Sequence, residues 1–471
     1  MPIKIALPKG RLLGEMAALL QRASWGLSGY TESARLYRLK SQRFPGLSAK
    51  IFHERDIPIQ VAVGNYDLGI CGLDWVQELL VKYPSSPLVK VKNLGYGKGA
   101  LYMVASRPEA ATVEEMQAKL DVIRIASEYP NLAESFAADL RLRRFNIFPL
   151  WGAAEVYPPE NADLVLIPGK AGVEAFNNDL MPVSKVLGFS AFLIANKSSW
   201  QTKDMGEILA SVEDKLFATE GPPASDVVRA PEMAGQYLSR EVAEDTVRLA
   251  LPDGHQQLLT LQLLNKAGIK IDDYPSSTDN RRPTANLGWI IIKVIRPQDM
   301  PLQVANGNFD LAITGRDWFL EHLYQFPSSP ITELVDLKLG KVKIVAVVSK
   351  DLAVTDADGL KQLNAGRTVP FRVASEYVNI ADRYARDNHL GMYRVIPTWG
   401  ATEAFLPEDA DLLIENTETG RTIARHNLKI IETLFESTAC LIGGTAGVPG
   451  STKSGRIKYI IEALRAAVES K

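Results

Sequence analysis

The sequence lacks the marks of a membrane protein, a disulfide-rich secreted domain and a metal-binding module. Its 471 residues include no apolar run of about 18 residues, the length needed to cross a bilayer. Its two cysteines, Cys71 and Cys440, each lie in an apolar, strand-like segment, so we expect buried thiols in a reducing cytoplasm. Its five histidines show no metal-ligand spacing, which leaves any metal ligands unknown.

The chain also lacks an excess of either charge. Lys and Arg total 53 and Asp and Glu total 55, for a net charge of −2 at pH 7. A protein whose main partner is nucleic acid usually presents a strongly basic face, so this balance argues against that class. The composition, 46% apolar and 23% charged, is typical of a globular protein, and the length predicts two to four domains.

What the sequence does contain is a tandem repeat. Four segments of the first half recur in the same order in the second half. The pairs are IALPKGRLL and LALPDGHQQ, DIPIQVAVGNYDLGICGLDW and DMPLQVANGNFDLAITGRDW, RIASEYPNLA and RVASEYVNIA, and WGAAEVYPPENADL and WGATEAFLPEDADL. Each half is far longer than a solenoid unit, so the repeat indicates a duplicated domain.

The domain boundaries follow from this repeat. We predict repeat one over residues 1–218 and repeat two over 245–471, with a linker over 219–244 that is rich in Pro, Gly and Ala. Short apolar runs alternate with helical patterns in each half, which predicts an α/β fold with mostly parallel sheets flanked by helices. Inner lobes at about 96–181 and 341–428 predict a cleft where ligands bind at the carboxyl ends of strands.

The stretch DLLIENTETGRTIARHN, from Asp411 to Asn427, has a pattern suited to a ribose 5-phosphate. Glu415 ends an apolar run and can accept hydrogen bonds from two vicinal hydroxyls. Backbone N–H groups, threonine hydroxyls and a flexible glycine follow, and these can cradle a phosphate where a helix begins. The alternative is that a threonine merely caps the helix. The candidate binding residues are Glu415, Thr417, Glu418, Thr419, Gly420, Arg421 and Thr422.

The matching stretch of the first half, DLVLIPGKAGVEAFNND, has lost this pattern. Ile167 stands where the acid should be, and residues 168–174 replace the threonine-rich loop. We therefore predict that the ribose 5-phosphate ligand binds only to the second copy.

The first half keeps a different set of charges, in LPKGR. Lys9 and Arg11 flank Gly10 at a strand-to-helix turn, an arrangement that suits a polyphosphate, although a solvated basic turn is the alternative. In the second half Asp253 and His255 occupy the positions of the two cations. An aspartate there would repel phosphate.

Three further arginines are candidate ligands of an anionic group. Arg55 precedes DIP in the first half and aligns with Gln298, but Arg296 lies two positions upstream and could substitute for it. Arg35, in SARLYRLK, is a weaker candidate. The alternative for each is an ordinary solvated arginine.

Taken together, LPKGR, RDIP…GNYDLGICGLDW, ASEYPN and GATEA…PEDADLLIENTETGRT resemble the catalytic domain of ATP phosphoribosyltransferase, the first enzyme of histidine biosynthesis. The resemblance covers nearly all of both halves and rests on several ordered motifs. It implies a two-lobed fold similar to that of periplasmic solute-binding proteins. It also implies attack of N1 of the ATP adenine on C1 of phosphoribosyl pyrophosphate, with Mg²⁺ accompanying the pyrophosphate that leaves.

The resemblance assigns roles by position. Glu415 and residues 417–422 match the phosphoribosyl-binding motif, residues 9–11 match the family's first motif, and Arg55 matches the arginine before DIP. We therefore take Arg55 and Glu415 as catalytic, with Arg296 as the substitute for Arg55. Cations that bind the departing charge more tightly than the bound substrate lower the barrier, and Glu415 would favour positive charge developing on the ribose.

Neither half holds a complete set of these residues, so we predict that the halves divide the work. Repeat two would bind the ribose 5-phosphate, and repeat one would supply Arg55 and, less directly, Arg35. We expect ATP and phosphoribosyl pyrophosphate as partners, with neither nucleic acid nor membrane, and no built-in regulatory domain. A homo-oligomer and a separate regulatory subunit are both compatible with the family. The rival interpretation is a cytosolic nucleotide-binding sensor or a regulatory pseudoenzyme on the same fold.

Overall fold

The chain forms two compact units in a computed structural model that describes residues 2–31, 37–106, 116–118, 120–170, 180–216, 243–277, 280–444 and 451–470. Unit 1 comprises Met1–Pro149, Ala162–Ser239 and Thr398–Ala404. Unit 2 comprises Leu150–Asn161, Arg240–Pro397 and Phe405–Lys471. Each unit therefore includes a short segment of the other sequence repeat. We call these the exchanged segments: Thr398–Ala404 in unit 1 and Leu150–Asn161 in unit 2.

Unit 1 is built on two sheets, each associated with its own lobe. The outer sheet has, in spatial order, Arg38–Lys40, Leu47–His53, Ile3–Lys9, Leu68–Gly72, Ala191–Asn196 and Leu88–Asn93. The inner sheet has Leu180–Phe189, Gly99–Ser106, Leu164–Lys170, Ile123–Ser127 and Phe145–Pro149. Gly99–Ser106 runs antiparallel to both neighbours, and the other four inner strands share one direction. The helices are Leu13–Arg22, Ile57–Ala62, Leu73–Lys82, Pro130–Asp139, Lys197–Thr202 and Gly206–Glu213.

Unit 2 repeats this arrangement. Its outer sheet has Ile290–Ile295, Val247–Pro252, Leu311–Gly315, Ala439–Gly444 and Ile331–Asp336. Its inner sheet has Tyr393–Pro397, Phe371–Ser375, Leu412–Thr417, Val342–Ser349 and Leu428–Ser437, and Ile271–Asp272 pairs with Thr284–Ala285 in a small ribbon. The helices are Gln257–Lys266, Met300–Ala305, Arg316–Gln325, Ala357–Asn364, Val378–Asp387, Arg421–Arg425 and Thr452–Glu469. Short 3₁₀ turns lie at Ala154–Val156, Gly254–Gln256 and Thr402–Phe405.

The alternation of strands and helices arises from the burial pattern that the sequence predicts. Every residue of Leu68–Gly72 is buried, because helices cover both faces of a sheet of this kind. The helix Leu13–Arg22 buries Leu13, Met16, Leu19 and Leu20, whose spacing of three or four places them on one face. Each such side chain contributes about 1.5–3 kcal/mol of hydrophobic stabilisation when fully buried.

The chain passes between the two lobes of each unit at two places, which we call the lobe crossings. A side-chain hydroxyl at one crossing donates a hydrogen bond to a residue at the other. In unit 1, Ser190 lies between an inner and an outer strand, and its Oγ donates to Oδ1 of Asn93 at 2.8 Å. In unit 2, Thr438 lies at the same place, and its Oγ1 donates to Oδ1 of Asp336 at 2.7 Å. The predicted fold, two lobes of mostly parallel sheet in each of two repeats, is confirmed.

Three further expectations concern the cysteines, membrane-spanning helices and the linker. Cys71 and Cys440 are buried and unpaired, as predicted, and burial raises the pKa of both thiols. Among the described residues, no helix is long and apolar enough to cross a membrane. The predicted linker, 219–244, falls almost entirely within 217–242, outside the described residues, so the repeat boundaries stay predictions.

Unit 2 holds its exchanged segment, residues 150–161, through a buried lysine. Lys293 lies in the outer strand Ile290–Ile295 and is 1% exposed. Its Nζ donates to Glu160 Oε2 at 2.8 Å, to Asn161 Oδ1 at 2.5 Å and to the carbonyl of Tyr157 at 3.1 Å. A buried ammonium requires such compensation, so the segment completes the core of this unit.

Candidate functional site

The candidate phosphoribosyl loop leaves the middle strand of the inner sheet of unit 2. Residues 412–414 are buried between the helical layers, Glu415 is half-buried, and the chain then turns into the helix Arg421–Arg425. Gly420 adopts a φ of +71°, and its N–H donates to Thr417 Oγ1 at 2.9 Å. Non-glycine residues avoid this left-handed region, so the glycine allows the tight turn.

The structure brings the seven predicted loop residues together in one turn. Glu418, Thr419, Arg421 and Thr422 are exposed, whereas Glu415, Thr417 and Gly420 are half-buried. The capping alternative is wrong here, because the helix Arg421–Arg425 has Gly420 at its N-cap and no side-chain cap; Thr417 Oγ1 accepts from the Gly420 N–H within the turn instead. The hydroxyls of Thr419 and Thr422 stand on the exposed part of the loop, where they could donate to an anion.

At the equivalent place in unit 1, the described residues 167–170 include neither an acid nor a hydroxyl. Ile167 is buried in the strand Leu164–Lys170, opposite Tyr102 of the neighbouring strand. Residues 171–174 of the replaced loop lie outside the described residues.

Arg11 is engaged by two carboxylates within unit 1. Its Nη2 lies 2.6 Å from Asp74 Oδ2 and 3.0 Å from Glu54 Oε2, and its guanidinium carbon lies 4.8 Å from the centroid of the Phe189 ring. Burial would lower the pKa of Arg11, but Asp74 and Glu54 raise it above its ordinary value. Its charge is thus largely compensated by the protein, and its role toward a polyphosphate stays a prediction.

Lys9 and Gly10 are more open to a ligand. Both are exposed, and Lys9 Nζ lies 5.5 Å from the centroid of the Tyr37 ring. Gly10 has a φ of +90° and no atom within 4 Å of an added Cβ, so the backbone there is accessible.

Arg55 lies in an aromatic slot of unit 1 that both repeats build. Its guanidinium carbon is 4.3 Å from the ring centroid of Trp399, which comes from the exchanged segment, and 5.2 Å from that of Trp75. Trp75 in turn stacks on Tyr129 at 4.2 Å. Such stacking holds an arginine through cation–π attraction while its N–H groups stay available at the edges.

The corresponding slot of unit 2 is closed by two tryptophans. Gln298 occupies the position of the arginine, and Trp151 of the exchanged segment lies 5.6 Å from Trp318, centroid to centroid. Trp318 stacks on Tyr377 at 4.3 Å.

Arg296, the predicted substitute, forms an ion pair in unit 2. Its Nη1 lies 3.0 Å from Oδ2 of Asp253, the residue that replaces Lys9, and Arg281 Nη1 approaches the same oxygen at 3.3 Å. Arg35 lies outside the described residues. The catalytic assignments of Arg55, Arg296 and Glu415 stay predictions.

Sequence reasoning missed two sets of residues. One is the exchanged segments, although the repeated Trp-Gly pair, at Trp151 and Trp399, marked both of them. The other is a buried carboxylate, Asp74 or Asp317, at the first turn of a helix in each unit. A single acid before Trp carries no signal of burial.

A family model and a curated relative both indicate one family. A family model described as ATP phosphoribosyltransferase matches the chain twice, over residues 53–216 and 296–466. The ATP phosphoribosyltransferase of Saccharolobus solfataricus is 31% identical over 236 residues, which are 48% of this chain and 73% of that protein. Lys9, Gly10 and Arg11 lie outside both matched ranges.

Solved structures give weaker matches. A chain of the ATP phosphoribosyl transferase (HisG:HisZ) complex from Thermotoga maritima is 22% identical, with a TM-score of 0.38, covering 48% of this chain and all of that one. The arginine-bound form of a truncated ArgBP from T. maritima is 12% identical, with a TM-score of 0.29, covering 48% of this chain and 96% of that one.

Proposed function

Because the chain belongs to the ATP phosphoribosyltransferase family and carries its domain twice, we propose that it catalyses the transfer that opens histidine biosynthesis. N1 of the ATP adenine forms a bond to C1 of phosphoribosyl pyrophosphate, and the bond from C1 to the pyrophosphate oxygen breaks. The observation that carries this proposal is the turn at residues 415–422, which joins an acid, three threonines and a left-handed glycine in unit 2.

Each part of the turn has a distinct task in this proposal. Glu415 accepts hydrogen bonds from two ribose hydroxyls and favours positive charge that develops at C1 as pyrophosphate departs. Thr419, Thr422 and backbone N–H groups hold the 5-phosphate through hydrogen bonds to charged oxygens. Fixing the ribose in this way converts the encounter with adenine into an intramolecular step.

The leaving pyrophosphate enters as its Mg²⁺ complex, so the metal is part of the substrate. Among the described residues, no group of three or more His, Cys, Asp or Glu side chains is arranged to hold a metal ion. Mg²⁺ at phosphate sites is usually bound through substrate phosphate oxygens and water, with only one or two carboxylates.

Arg55 is the cation that we assign to the departing pyrophosphate, because it matches the family's arginine before DIP. The support is its slot, because Trp399 of repeat two lies over the guanidinium of repeat one inside unit 1. ATP-binding and location in the cytoplasm belong to the same proposal. A regulatory subunit and a homo-oligomer, with which the resemblance is compatible, stay untested.

The first test is the number of binding sites and the product. Calorimetric titration of the full chain with phosphoribosyl pyrophosphate and Mg²⁺ is expected to show one site per chain, because only unit 2 has the loop. Addition of ATP is expected to yield phosphoribosyl-ATP by chromatography. Two equivalent sites would contradict the assignment to unit 2, and binding without product would favour a nucleotide-binding sensor.

The second test concerns Arg55 in the full chain. Arg55→Ala is expected to lower kcat about tenfold or more with little change in the KM for phosphoribosyl pyrophosphate, because a cation that binds the departing charge acts in the transition state. Arg55→Lys should recover only part of the rate, since lysine lacks the planar fork. The control is Arg144→Ala, whose side chain is 63% exposed. An unchanged kcat in Arg55→Ala would refute this role.

These tests should use the full chain and not the separated repeats. Residues 245–471 alone would lack the segment 150–161, and Lys293 would then be buried without Glu160 and Asn161. Failure of such a fragment would report a folding defect rather than a missing catalytic residue.

A further inference from the structure

A continuous chain of hydrogen-bonded side chains runs beneath the candidate loop of unit 2. Asn416, the residue after Glu415, donates from Nδ2 to Oη of Tyr377 at 2.8 Å. Tyr377 Oη donates to Asp317 Oδ2 at 2.5 Å, and Ser437 Oγ donates to the other carboxylate oxygen at 2.9 Å. We call these four residues, Asn416, Tyr377, Asp317 and Ser437, the Asp317 relay.

The relay joins the loop to the crossing between the two lobes of unit 2. Ser437 ends the inner strand Leu428–Ser437, and Thr438 leads directly into the outer strand Ala439–Gly444. Asp317 lies in the first turn of an outer-lobe helix, and its N–H donates back to Ser437 Oγ at 2.9 Å. The position of Asn416 is therefore tied to the geometry of this crossing.

The middle of the relay is rigid. Tyr377 and Ser437 are at most 1% exposed, and Asp317 is 5% exposed. Trp318 stacks on the Tyr377 ring, so the phenol oxygen cannot swing away from the carboxylate without unpacking the core. Burial, followed by the charge of Asp317, raises the pKa of Tyr377, so its hydroxyl keeps the proton that it donates.

The first repeat keeps the buried pair but not the link to the loop. Tyr129 Oη donates to Asp74 Oδ2 at 2.8 Å, just as Tyr377 does to Asp317. Pro168, however, occupies the position of Asn416 and has no side-chain donor, and Phe189 occupies that of Ser437.

The two buried aspartates, Asp74 in unit 1 and Asp317 in unit 2, also differ in the charge of their partners. In unit 1 the guanidinium of Arg11 compensates Asp74. In unit 2 His255 stands at the position of Arg11, and among the described residues the side-chain donors to the Asp317 carboxylate are the neutral hydroxyls of Tyr377 and Ser437. The repeat that keeps the loop thus connects it to the buried acid, and the other repeat replaces that connection with a cation.

We propose that Asn416 and Tyr377 are positioning residues for phosphoribosyl pyrophosphate: through the Asp317 relay they fix the strand end from which Glu415 and Thr417 face the ligand. The inference rests on the proposed function for the identity of the ligand. It adds that the loop sequence alone is insufficient for tight binding, because the strand end that carries the loop must also be held at the lobe crossing.

The test is a double-mutant cycle on the full chain, read by titration with phosphoribosyl pyrophosphate and Mg²⁺. Asn416→Leu removes one hydrogen bond of the relay and Tyr377→Phe removes two, and each variant is expected to raise the Kd about 3- to 10-fold. The double variant is expected to be no weaker than Tyr377→Phe alone, because both changes break the same link. The Kd for ATP should change less than twofold in every variant.

The matched control is Tyr129→Phe, which removes the same hydroxyl from the equivalent buried pair of unit 1. We expect a fall in thermal stability similar to that of Tyr377→Phe, but a Kd for phosphoribosyl pyrophosphate within twofold of the wild type. If Tyr377→Phe does not fold, Asn416→Leu decides alone, since its side chain lies at the exposed end of the relay.

The outcomes separate this inference from the proposed function. A wild-type chain that does not bind phosphoribosyl pyrophosphate overturns both. A wild-type chain that binds it, together with an unchanged Kd in Asn416→Leu or additive effects in the double variant, overturns the positioning role alone.

Discussion

Glu415→Ala is expected to weaken the binding of phosphoribosyl pyrophosphate by at least about 100-fold. The carboxylate would accept two hydrogen bonds from the ribose, and each hydrogen bond to a charged group is worth about 1.5–3 kcal/mol. Since 1.4 kcal/mol corresponds to a factor of ten, two such bonds account for a loss of this size. Calorimetric titration of the full chain with the ligand and Mg²⁺ measures it directly.

Two further variants make this result specific. Glu415→Gln keeps the shape of the side chain but removes its charge, so we expect an intermediate loss. Glu462→Ala, on the C-terminal helix Thr452–Glu469, removes a carboxylate that is 60% exposed and should leave binding unchanged. A change of less than fivefold in Glu415→Ala would show that the ligand does not use this carboxylate.

Lys293→Met is expected to have the largest effect on stability, and the effect should centre on unit 2. Removal of the buried ammonium takes one donor from Glu160 and the Lys293 donor from Asn161, and breaking a buried charge pair in this way typically costs about 3–5 kcal/mol. Arg282 still binds Glu160, with nitrogen–oxygen distances of 3.0 and 3.1 Å, so the segment 150–161 should loosen rather than lose every contact.

A single free energy of unfolding is poorly defined for a chain with two units, so local opening is the better measurement. Amide hydrogen exchange across residues 150–161 and 290–295 is expected to be about 100- to 4000-fold faster in Lys293→Met, the factor that corresponds to about 3–5 kcal/mol. The control is Arg144→Met, which breaks an ion pair with Asp121 whose side chains are 63% and 79% exposed. Equal protection in Lys293→Met and the wild type would contradict a structural role for the buried lysine.

The same cluster predicts the direction of a pH effect. Burial would raise the pKa of Glu160, but Lys293 and Arg282 lower it from 4.5 to about 2. A carboxyl group with a depressed pKa stabilises the fold fully above its unfolded value and loses that contribution as pH falls toward the folded value. Protection of residues 150–161 in the wild type should therefore decline between about pH 4.5 and 2, and this decline should be weaker in Lys293→Met.

Much of the fold could be predicted from local sequence patterns. Apolar runs such as those before Glu415 and around Cys71 are strands, and the helix after LPKGR buries the side chains that its periodicity indicates. These features depend on residues close together in sequence, so burial of one face is enough to specify them. The loop at 415–422 was accessible for the same reason, because strand, turn glycine and helix start are consecutive.

The ion pairs that each charged side chain forms could not be predicted from local patterns. LPKGR predicts two comparable cations, yet Lys9 is exposed and Arg11 is paired with Glu54 and Asp74, which lie 43 and 63 positions away. Arg296 similarly meets Asp253. A charge pattern records which ions are present, but their compensation depends on which distant strands end side by side.

The order of motifs was sufficient to establish that the domain is duplicated and that one copy kept the acid and the threonine-rich turn, because both statements compare residues along the chain. Tertiary packing alone decided that each compact unit takes a segment from the opposite repeat, which places Trp399 over Arg55 and Glu160 on Lys293. It also decided that Asn416 is tied to a buried aspartate 99 positions earlier, through Tyr377. Hydrogen bonds and ring contacts act over a few ångströms, so they depend on neighbours that only the folded backbone brings together.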